Sequence, residues 1–286
     1  MPANFKAELL ACFGQPVAEN PTGAMQEAAF RALGLDWRYL TVEVPPDRLR
    51  EAVSGARAFG MQGFNLTIPH KVAVIGLLDE VAPDAALIGA VNTVRRSGER
   101  LIGENTDGKG FLRGVREKGS LDPKGRRVVV LGAGGAARAI VAELALAGAA
   151  DILVINRSAP RGEALVRDLA DRTKAPIRFA PWQAAHIVAP ETDLLVNATS
   201  IGLYPDVKAM PPVDLGGANP QLLVCDVVFN PPITPFLQAA IDRGLAVVDG
   251  LAMLVFQGVI GFELWTGRKP PEGVMTAALR QALGLA

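Results

Sequence analysis

The segment from Arg126 to Arg157 constrains the fold of this chain more than any other feature, because several local signals follow one another within it. A β-branched run, Val128–Val130, predicts a strand, and the glycine-rich residues 132–137 predict a tight turn at its end. An alanine-rich apolar stretch then predicts a helix that stops at Gly148, and the apolar residues Ile152–Ile155 predict a second strand. The segment is therefore predicted to form a βαβ unit.

The glycines of this turn have the spacing that a dinucleotide requires. Gly132 permits the sharp turn out of the strand, and Gly134 has no Cβ that would keep a pyrophosphate away from the backbone. Ala137 is small enough for the helix to pack closely on the strand, and the helix N-terminus favours the negative charge of a pyrophosphate. A turn with a purely structural role is the alternative. The residues predicted to line the cofactor here are Gly132, Ala133, Gly134, Gly135 and Ala136.

The end of the second strand indicates which dinucleotide binds. Sites for NAD usually carry an acidic residue there, which holds the 2′-hydroxyl of the ribose. This chain instead has Asn156, Arg157 and Ser158, followed closely by Arg161. Two guanidinium groups can bind a 2′-phosphate, so the sequence favours NADP(H) over NAD(H). The alternative is that both arginines are solvated surface charges.

Composition excludes several classes of partner. The chain has 286 residues, a length that suits two domains, and half of them are hydrophobic. The 29 Lys and Arg residues balance the 29 Asp and Glu residues, which argues against nucleic acid or an anionic membrane surface as a main partner. The apolar run Leu251–Leu264 is interrupted by Gln257 and Glu263 and is too short to span a bilayer.

The cysteines and histidines indicate neither a disulfide framework nor a metal site. Cys12 and Cys225 lie far apart in apolar stretches, which is typical of buried thiols in a reducing cytoplasm. His70 and His186 are also far apart and lack a partner at metal-ligand spacing, and His70 is expected at the surface or at the rim of the site. The N-terminal residues MPANFKAELL do not resemble a signal peptide, because they lack an apolar core.

Strand-like and helix-like runs alternate along the whole chain, which predicts the α/β class, with parallel strands and helices on both faces. Polar residues follow several of the predicted strands, where α/β sheets place their ligands. Asn65, Thr67 and Lys71 follow one such strand, a helix is predicted from about Val72, and Asp107 opens a helix that reaches toward Gly119. An Asp at this position is also a common helix cap.

Together these segments resemble the shikimate dehydrogenase family, the NADP-dependent enzymes of aromatic amino acid biosynthesis. The resemblance covers nearly the whole chain, and its motifs occur in the family's order. They are Phe13–Val17, Asn65–Lys71, Ala90–Thr93, Asn105–Gly108, Gly132–Ala137, Asn156–Ser158, Asn197–Gly202, Asp226–Pro231, Asp249–Leu251, Gln257–Gly258 and Trp265–Gly267.

The resemblance implies two α/β domains. Residues 1–110 with 250–286 would form the substrate-binding domain, and residues 111–249 a doubly wound, Rossmann-type NADP-binding domain inserted between them. The cleft between the domains would hold the nicotinamide against a small cyclic hydroxy acid. The expected protein is a cytoplasmic monomer or homodimer.

The resemblance also implies that Lys71 and Asp107 form the catalytic pair. Reducing a ketone by hydride transfer creates an alkoxide that needs a proton, and oxidising the alcohol requires removal of that proton. An ammonium group beside a carboxylate can orient the hydroxyl and carry the proton. The alternative assigns Lys71 to a solvated helix start and Asp107 to a cap.

The remaining functional residues follow from the same resemblance. Asn65, Thr67, Asn92 and Gln257 would bind the ring hydroxyls of the substrate, although Gln257 on an apolar helix could instead face solvent. The cofactor would also contact Thr199, Ser200, Val227, Gly250 and Met253.

The departures from the family pattern concern the substrate carboxylate. Where the family carries Ser-x-Ser this chain has Asn20 and Thr22, and where it carries a tyrosine this chain has Phe229. Asn20 and Thr22 can still donate hydrogen bonds, whereas Phe229 cannot, and a lost bond to a charged group is worth about 1.5–3 kcal/mol. The reaction type is therefore better defined than the substrate. Shikimate, quinate, an amino analogue or another cyclic alcohol all remain open, and a non-catalytic NADP(H)-binding module is a third hypothesis.

Overall fold

The computed structural model describes residues 5–285 and divides them into two compact units. Unit 1 contains the described residues up to Thr106 and those from Gln257 onward, and unit 2 contains Asp107–Phe256. Within residues 5–285, no helix combines the length and the apolar composition that crossing a bilayer requires.

The chain forms fourteen strands and ten α-helices within the described range. The strands are β1 (Glu8–Gly14), β2 (Trp37–Glu43), β3 (Gly63–Leu66), β4 (Glu80–Val81), β5 (Thr93–Ser97), β6 (Arg100–Glu104), β7 (Arg127–Leu131), β8 (Asp151–Asn156), β9 (Ile177–Pro181), β10 (His186–Ile187), β11 (Leu194–Asn197), β12 (Val213–Asp214), β13 (Leu223–Asp226) and β14 (Ala246–Val248). The helices are α1 (Thr22–Ala32), α2 (Leu49–Ala58), α3 (His70–Ala73), α4 (Pro83–Ile88), α5 (Thr106–Glu117), α6 (Gly135–Leu146), α7 (Ala159–Ala170), α8 (Pro235–Ile241), α9 (Gly250–Thr266) and α10 (Glu272–Ala282). Two 3-10 turns lie at Pro46–Arg48 and Val74–Leu77.

The sheet of unit 1 has the order β2-β1-β3-β5-β6-β4. Its pairs β1–β2, β1–β3 and β4–β6 are parallel, but β5 runs antiparallel to both β3 and β6. The expectation of parallel strands is therefore wrong for β5. The short turn at Gly98, with φ of +61°, joins β5 and β6 as a hairpin and makes these two strands antiparallel.

The core of unit 1 lies against the β1–β3 centre of this sheet. Phe13 and Phe64 pack with ring centroids 4.9 Å apart, and both are almost fully buried. Helix α2 contributes Leu49, Val53 and Ala56, whose spacing places all three on one buried helical face. This packing fixes the carboxyl ends of β1 and β3, from which the polar residues of unit 1 emerge.

Unit 2 is built on a fully parallel sheet of order β14-β13-β11-β7-β8-β9. Strands β11 and β13 are buried along their whole length, as expected for strands covered on both faces. The predicted βαβ unit is confirmed as β7, α6 and β8. The strand order reverses between β7 and β11, and such a switch point is where open α/β sheets bind ligands.

Two predicted elements have other boundaries in the structure. The helix predicted from about Val72 is a single α-helical turn followed by a 3-10 turn. The apolar run Leu222–Phe229 predicts a strand over its whole length, but the strand stops at Asp226, whose own carboxylate accepts the backbone N–H of Val228 at 2.9 Å.

Candidate active site

The glycine turn of unit 2, residues Gly132–Gly135, has the shape that its sequence predicts. Gly132 has φ of +112°, and a Cβ there would lie 2.8 Å from the carbonyl oxygen of Ala198. Gly134 and Gly135 are exposed, and a Cβ on either would meet no atom within 4 Å. Ala137 is fully buried, so helix α6 packs closely on the sheet. The first N–H groups of α6 lack partners within the helix and lie beside open space, as a bound pyrophosphate requires.

A groove of about 340 Å³ adjoins the glycine turn. Arg138, on the first turn of α6, pairs with Asp168 of α7 at 3.0 Å. Arg161 lies on the first turn of α7 and lines the same groove. The full lining is Ala133, Gly134, Gly135, Arg138, Arg161, Ala164 and Leu165.

The end of β8 offers cations and no carboxylate. Asn156 donates its amide to the carbonyl oxygen of Ser158 at 2.9 Å, which holds the start of α7. Arg157 and Arg161 are exposed, and within residues 5–285 neither guanidinium pairs with a carboxylate. These residues fit a 2′-phosphorylated dinucleotide, because the backbone turn is open and two cations are available beside it.

The loop after β11 is held by hydrogen bonds around a buried carboxylate. Thr199 donates its hydroxyl to Asn197 Oδ1 at 2.6 Å, and Asn197 donates its amide to Asp226 Oδ1 at 3.0 Å. Thr234 donates to the second oxygen of Asp226 at 2.7 Å. Burial raises the pKa of the Asp226 carboxyl to about 6, although these donors pull it downward. Ser200, the next residue of the loop, is exposed.

Helix α9 begins in direct contact with the backbone after β13. A Cβ on Gly250 would overlap the carbonyl oxygens of Val227 and Val228, so only glycine fits at this position. Met253 lies half-buried one turn later. The structure therefore brings Val227 and Gly250 together, while Phe229 lies half-buried in the following loop.

In unit 1, Lys71 lies on α3, immediately after the carboxyl end of β3. Its carbonyl oxygen accepts the N–H of Val91 at 2.8 Å, which ties α3 to the start of β5. Thr67 is held by a backbone bond from its N–H to the carbonyl oxygen of Phe13 at 3.0 Å, and its methyl group occupies the space that a Cβ on Gly14 would need. Asp107 follows Thr106 and is the first residue of unit 2.

Asn65 and Asn92, both predicted to bind substrate, belong to a buried set of side chains that we call the polar network: Tyr39, Asn65, Asn92, Thr93 and Thr106. Asn65 Oδ1 accepts the Tyr39 hydroxyl at 2.6 Å, and Asn65 Nδ2 donates to Thr93 Oγ1 at 2.9 Å and to the carbonyl oxygen of Asn92 at 3.0 Å. Asn92 Oδ1 accepts the backbone N–H of Thr106 at 2.7 Å. The two amides are thus brought together and oriented by the protein itself.

The other predicted substrate residues are only partly grouped. Gln257 is 6% exposed, so the alternative that it faces solvent is wrong. Asn20 Oδ1 accepts the N–H of Thr22 at 3.0 Å. Asn20 is the residue before Pro21, which occupies the N-cap position of α1. Thr22 is buried. Within residues 5–285, no direct hydrogen bond joins Asn20 or Thr22 to Asn65.

His70 is not at the surface or rim where it was expected. It is 1% exposed, and its Nε2 lies 2.7 Å from the carbonyl oxygen of Val44. The reason is that α3 turns its first side chain inward toward the end of β2. Among residues 5–285, no group of three His, Cys, Asp or Glu residues could hold a metal ion. Both cysteines are free and buried, and burial raises the pKa of the Cys12 thiol to about 11.

Four residues that the sequence did not single out lie in the structure beside predicted site residues. Thr93 and Thr106 each stand beside a predicted residue in the motifs, but only their hydrogen bonds reveal a role. Tyr39 lies on a strand without any functional signal. Arg138 follows the glycine turn, and its position on the first turn of α6 was a usable signal.

Comparison with known proteins now identifies the family. Three family models match: shikimate dehydrogenase substrate binding domain over residues 12–94, shikimate / quinate 5-dehydrogenase over residues 115–210, and shikimate 5′-dehydrogenase C-terminal domain over residues 250–280. A protein of Desulforamulus reducens named shikimate dehydrogenase (NADP(+)) is 42% identical over 281 residues, which cover 97% of this chain and 96% of that protein.

Two solved structures share the fold. The ligand-free 5-ketofructose reductase of Gluconobacter sp. strain CHM43 is 48% identical with a TM-score of 0.93, covering 97% of this chain and 99% of that one. The shikimate 5-dehydrogenase of Thermus thermophilus, in complex with NADP(H) and shikimate, is 38% identical with a TM-score of 0.84, covering 96% and 99%. The predicted resemblance is confirmed, and this chain belongs to the shikimate dehydrogenase family.

Proposed function

We propose that this chain is an NADP-dependent oxidoreductase that interconverts shikimate, or a closely related cyclic hydroxy acid, with its ketone by hydride transfer. The observation that carries the proposal is the similarity to a shikimate dehydrogenase (NADP(+)) over 97% of the chain at 42% identity. The open glycine turn and the carboxylate-free end of β8 support the choice of NADP(H).

Lys71 and Asp107 are the proposed acid–base pair. In the oxidative direction the C–H bond breaks, its electron pair moves with hydrogen to the nicotinamide, and the hydroxyl proton passes to this pair. In the reductive direction the same groups return a proton to the forming alkoxide. The position of Lys71 after a central strand of unit 1 and of Asp107 on the first turn of α5 supports this assignment.

The substrate hydroxyls are proposed to bind at Asn65, Thr67, Asn92 and Gln257, with Asn20, Thr22 and Phe229 near the substrate's charged group. Burial and fixed orientation of the amides of Asn65 and Asn92 support this part of the proposal, because buried polar groups discriminate strongly between substrates with and without a matching hydroxyl. The proposed cofactor contacts are the glycine turn with Ala136, residues 156–158, Arg161, Thr199, Ser200, Val227, Gly250 and Met253.

A second candidate function is the reduction of an uncharged polyhydroxy ketone. The similar structure with 48% identity is a 5-ketofructose reductase, and a ketose carries no carboxylate. Phe229 offers no hydroxyl to a carboxylate, which favours an uncharged group at that end of the substrate.

A substrate panel separates the two candidates. Steady-state kcat/KM is measured with NADP⁺ for shikimate and quinate, and with NADPH for 5-ketofructose. Turnover of the acids supports the first function, and turnover of the ketose alone supports the second. Absence of turnover with all three, while NADPH still binds, contradicts both.

The variant Phe229→Tyr tests whether the substrate carries a carboxylate, which is the difference between the two candidate functions. If the chain acts on shikimate, a restored hydroxyl is expected to lower its KM by about tenfold or more, because a hydrogen bond to a charged group is gained. The reaction of an uncharged ketose is expected to stay unchanged. Phe59→Tyr, at an exposed phenylalanine, is the matched control.

The proposal extends to the protein's surroundings. Two buried free thiols fit a reducing compartment, so the cytoplasm is the proposed location. The partner is a small molecule, and the enzyme acts as a monomer or homodimer. Size-exclusion chromatography with light scattering decides between these two states.

A further inference from the structure

Two hydroxyl groups at the centre of the polar network have no role in the function described above. Thr93 Oγ1 and Thr106 Oγ1 lie 2.9 Å apart, and both residues are fully buried. A buried hydroxyl must both donate and accept to be satisfied, so its hydrogen-bond partners determine the direction of its proton.

Either hydroxyl of the pair can be the donor, and the partners of the two residues favour one direction through the network. The Tyr39 hydroxyl donates to Asn65 Oδ1, so Asn65 must donate through Nδ2, and Thr93 Oγ1 accepts from it. Thr93 is then left with its proton for Thr106 Oγ1. Thr106 in turn directs its own proton toward Asn92 Oδ1, at 3.3 Å.

The far end of this chain of bonds fixes the start of a helix. Asn92 Oδ1 also accepts the backbone N–H of Thr106 at 2.7 Å, and Asn92 Nδ2 lies 3.0 Å from Thr106 Oγ1. Thr106 is therefore held at both its backbone and its side chain. The next residue, Asp107, projects from a backbone whose position depends on these bonds. The near end, Asn65, is on β3, the strand that leads to Lys71.

We propose that the Thr93–Thr106 hydroxyl pair is a positioning element for proton transfer, which fixes the backbone of Thr106 and thereby orients the adjoining residue Asp107. This inference rests on the proposed roles of Lys71 and Asp107. Thr93 and Thr106 touch neither substrate nor cofactor in this assignment, and they act through Asn92 and the backbone of α5.

The test is Thr93→Val, which keeps the shape of the side chain but removes its hydroxyl. The expected result is a fall in kcat of about tenfold or more with an unchanged KM for NADP⁺, because chemistry is misaligned while the cofactor turn in unit 2 is untouched. The pH profile of kcat is expected to shift as well, since the surroundings of Asp107 change. Thr93→Ser keeps the hydroxyl and should stay within about twofold of the wild type.

Loss of stability is controlled by a matched substitution. Thr192→Val removes a buried hydroxyl in unit 2, at a residue that is 4% exposed and lies outside the network. Thermal unfolding of both valine variants is measured beside their kinetics. If Thr93→Val lowers kcat no more than Thr192→Val, or alters only the melting temperature, the positioning role is wrong.

The double variant Thr93→Val/Thr106→Val tests whether the two hydroxyls act as one unit. The kcat of the double variant should lie within about twofold of the kcat of the slower single variant. The reason is that either change alone already breaks the chain of hydrogen bonds. Effects on kcat that multiply would overturn the inference.

The variant Asp107→Asn separates a failure of this inference from a failure of the proposed function. If Asp107→Asn keeps full turnover, the catalytic pair is misassigned. If Asp107→Asn is inactive while Thr93→Val is fully active, the positioning inference alone fails.

Discussion

The glycine turn of unit 2 leaves its backbone open, whereas the polar network of unit 1 encloses its side chains and satisfies them internally. A Cβ on Gly134 would meet nothing within 4 Å, while Thr93 and Thr106 are fully buried. The cofactor region therefore exposes backbone groups that can bind a ligand, whereas the side chains of the polar network mostly form hydrogen bonds with one another. Binding a cofactor shared by many enzymes needs only backbone and charge, whereas selecting a substrate needs oriented side chains.

The first prediction separates two glycines of the same turn. Gly132→Ala should destabilise the fold by about 1–3 kcal/mol and weaken NADPH binding at least tenfold, because φ is +112° and its Cβ would crowd the carbonyl oxygen of Ala198. Gly134→Ala should weaken NADPH binding alone, since its Cβ meets only the ligand. Thermal unfolding and NADPH fluorescence titrations measure both. Equal destabilisation by the two variants would contradict the openness of the turn.

The second prediction concerns the positive charge that the cofactor region offers to the 2′-phosphate. Arg161→Gln is expected to raise the KM for NADP⁺ by about tenfold and to leave that for NAD⁺ unchanged, because a charge-assisted bond to the 2′-phosphate is lost. Arg167→Gln, on the exposed face of the same helix, is the matched control. A parallel loss for NADP⁺ and NAD⁺ would show that Arg161 does not read the 2′-phosphate.

A third prediction concerns the buried Asp226, whose ionisation opposes folding. Its pKa in the folded protein is about 6, above the value of 3.8 for the free side chain. The folded state therefore binds more protons, and this group stabilises the fold below about pH 4 and loses that contribution as the pH rises to about 6. Relative to Asp226→Asn, the wild type should lose unfolding free energy across this range, on the order of 3 kcal/mol.

Asp151→Asn provides a control of opposite sign for the same measurement. Arg178 donates to Asp151 at 2.8 Å and lowers the pKa of its carboxyl, so this contribution is lost as the pH falls. Urea unfolding between about pH 2 and pH 7 follows both variants, because the Asp151 contribution is lost only as the pH falls below 3.8, whereas that of Asp226 is lost above it. If Asp226→Asn shows the same pH slope as the wild type, the carboxyl is not held in the way described.

The smallest effect tests the edge of the polar network. Tyr39→Phe removes the donor to Asn65 Oδ1 and should lower kcat by about three- to tenfold, with the KM for NADP⁺ unchanged. Tyr204, the other tyrosine, is 69% exposed, and Tyr204→Phe should change nothing. A loss confined to the KM for NADP⁺ would contradict the separation of the two regions.

Features set by residues that are close in the chain could be predicted from the sequence, whereas features set by distant residues could not. The βαβ unit of unit 2 was predictable because its turn depends on glycine backbone and on local order along the chain. The reversed direction of β5 beside β3 was not predicted, because the alternation of strands and helices does not mark the direction of a strand. The buried state of His70 depends on the carbonyl oxygen of Val44, which is distant in sequence.

Within the site, motifs identified residues but not their partners. Asn65 and Asn92 were predicted as substrate ligands from the family resemblance, and their bonds to Thr93 and Thr106 appear only in three dimensions. The roles of these residues in catalysis and binding stay predictions. Tyr39 could not be found from sequence, because nothing in a strand pattern marks which side chain meets an amide on the neighbouring element.

The catalytic pair is tested by comparing the wild type with Asp107→Asn in one assay, the formation of NADPH from NADP⁺ and shikimate. We expect steady turnover by the wild type and a loss of at least about a hundredfold in the variant, with unchanged affinity for NADPH. Turnover that survives in Asp107→Asn would contradict the proposed catalytic pair. A wild type that binds NADPH but fails to oxidise shikimate would contradict the proposed substrate.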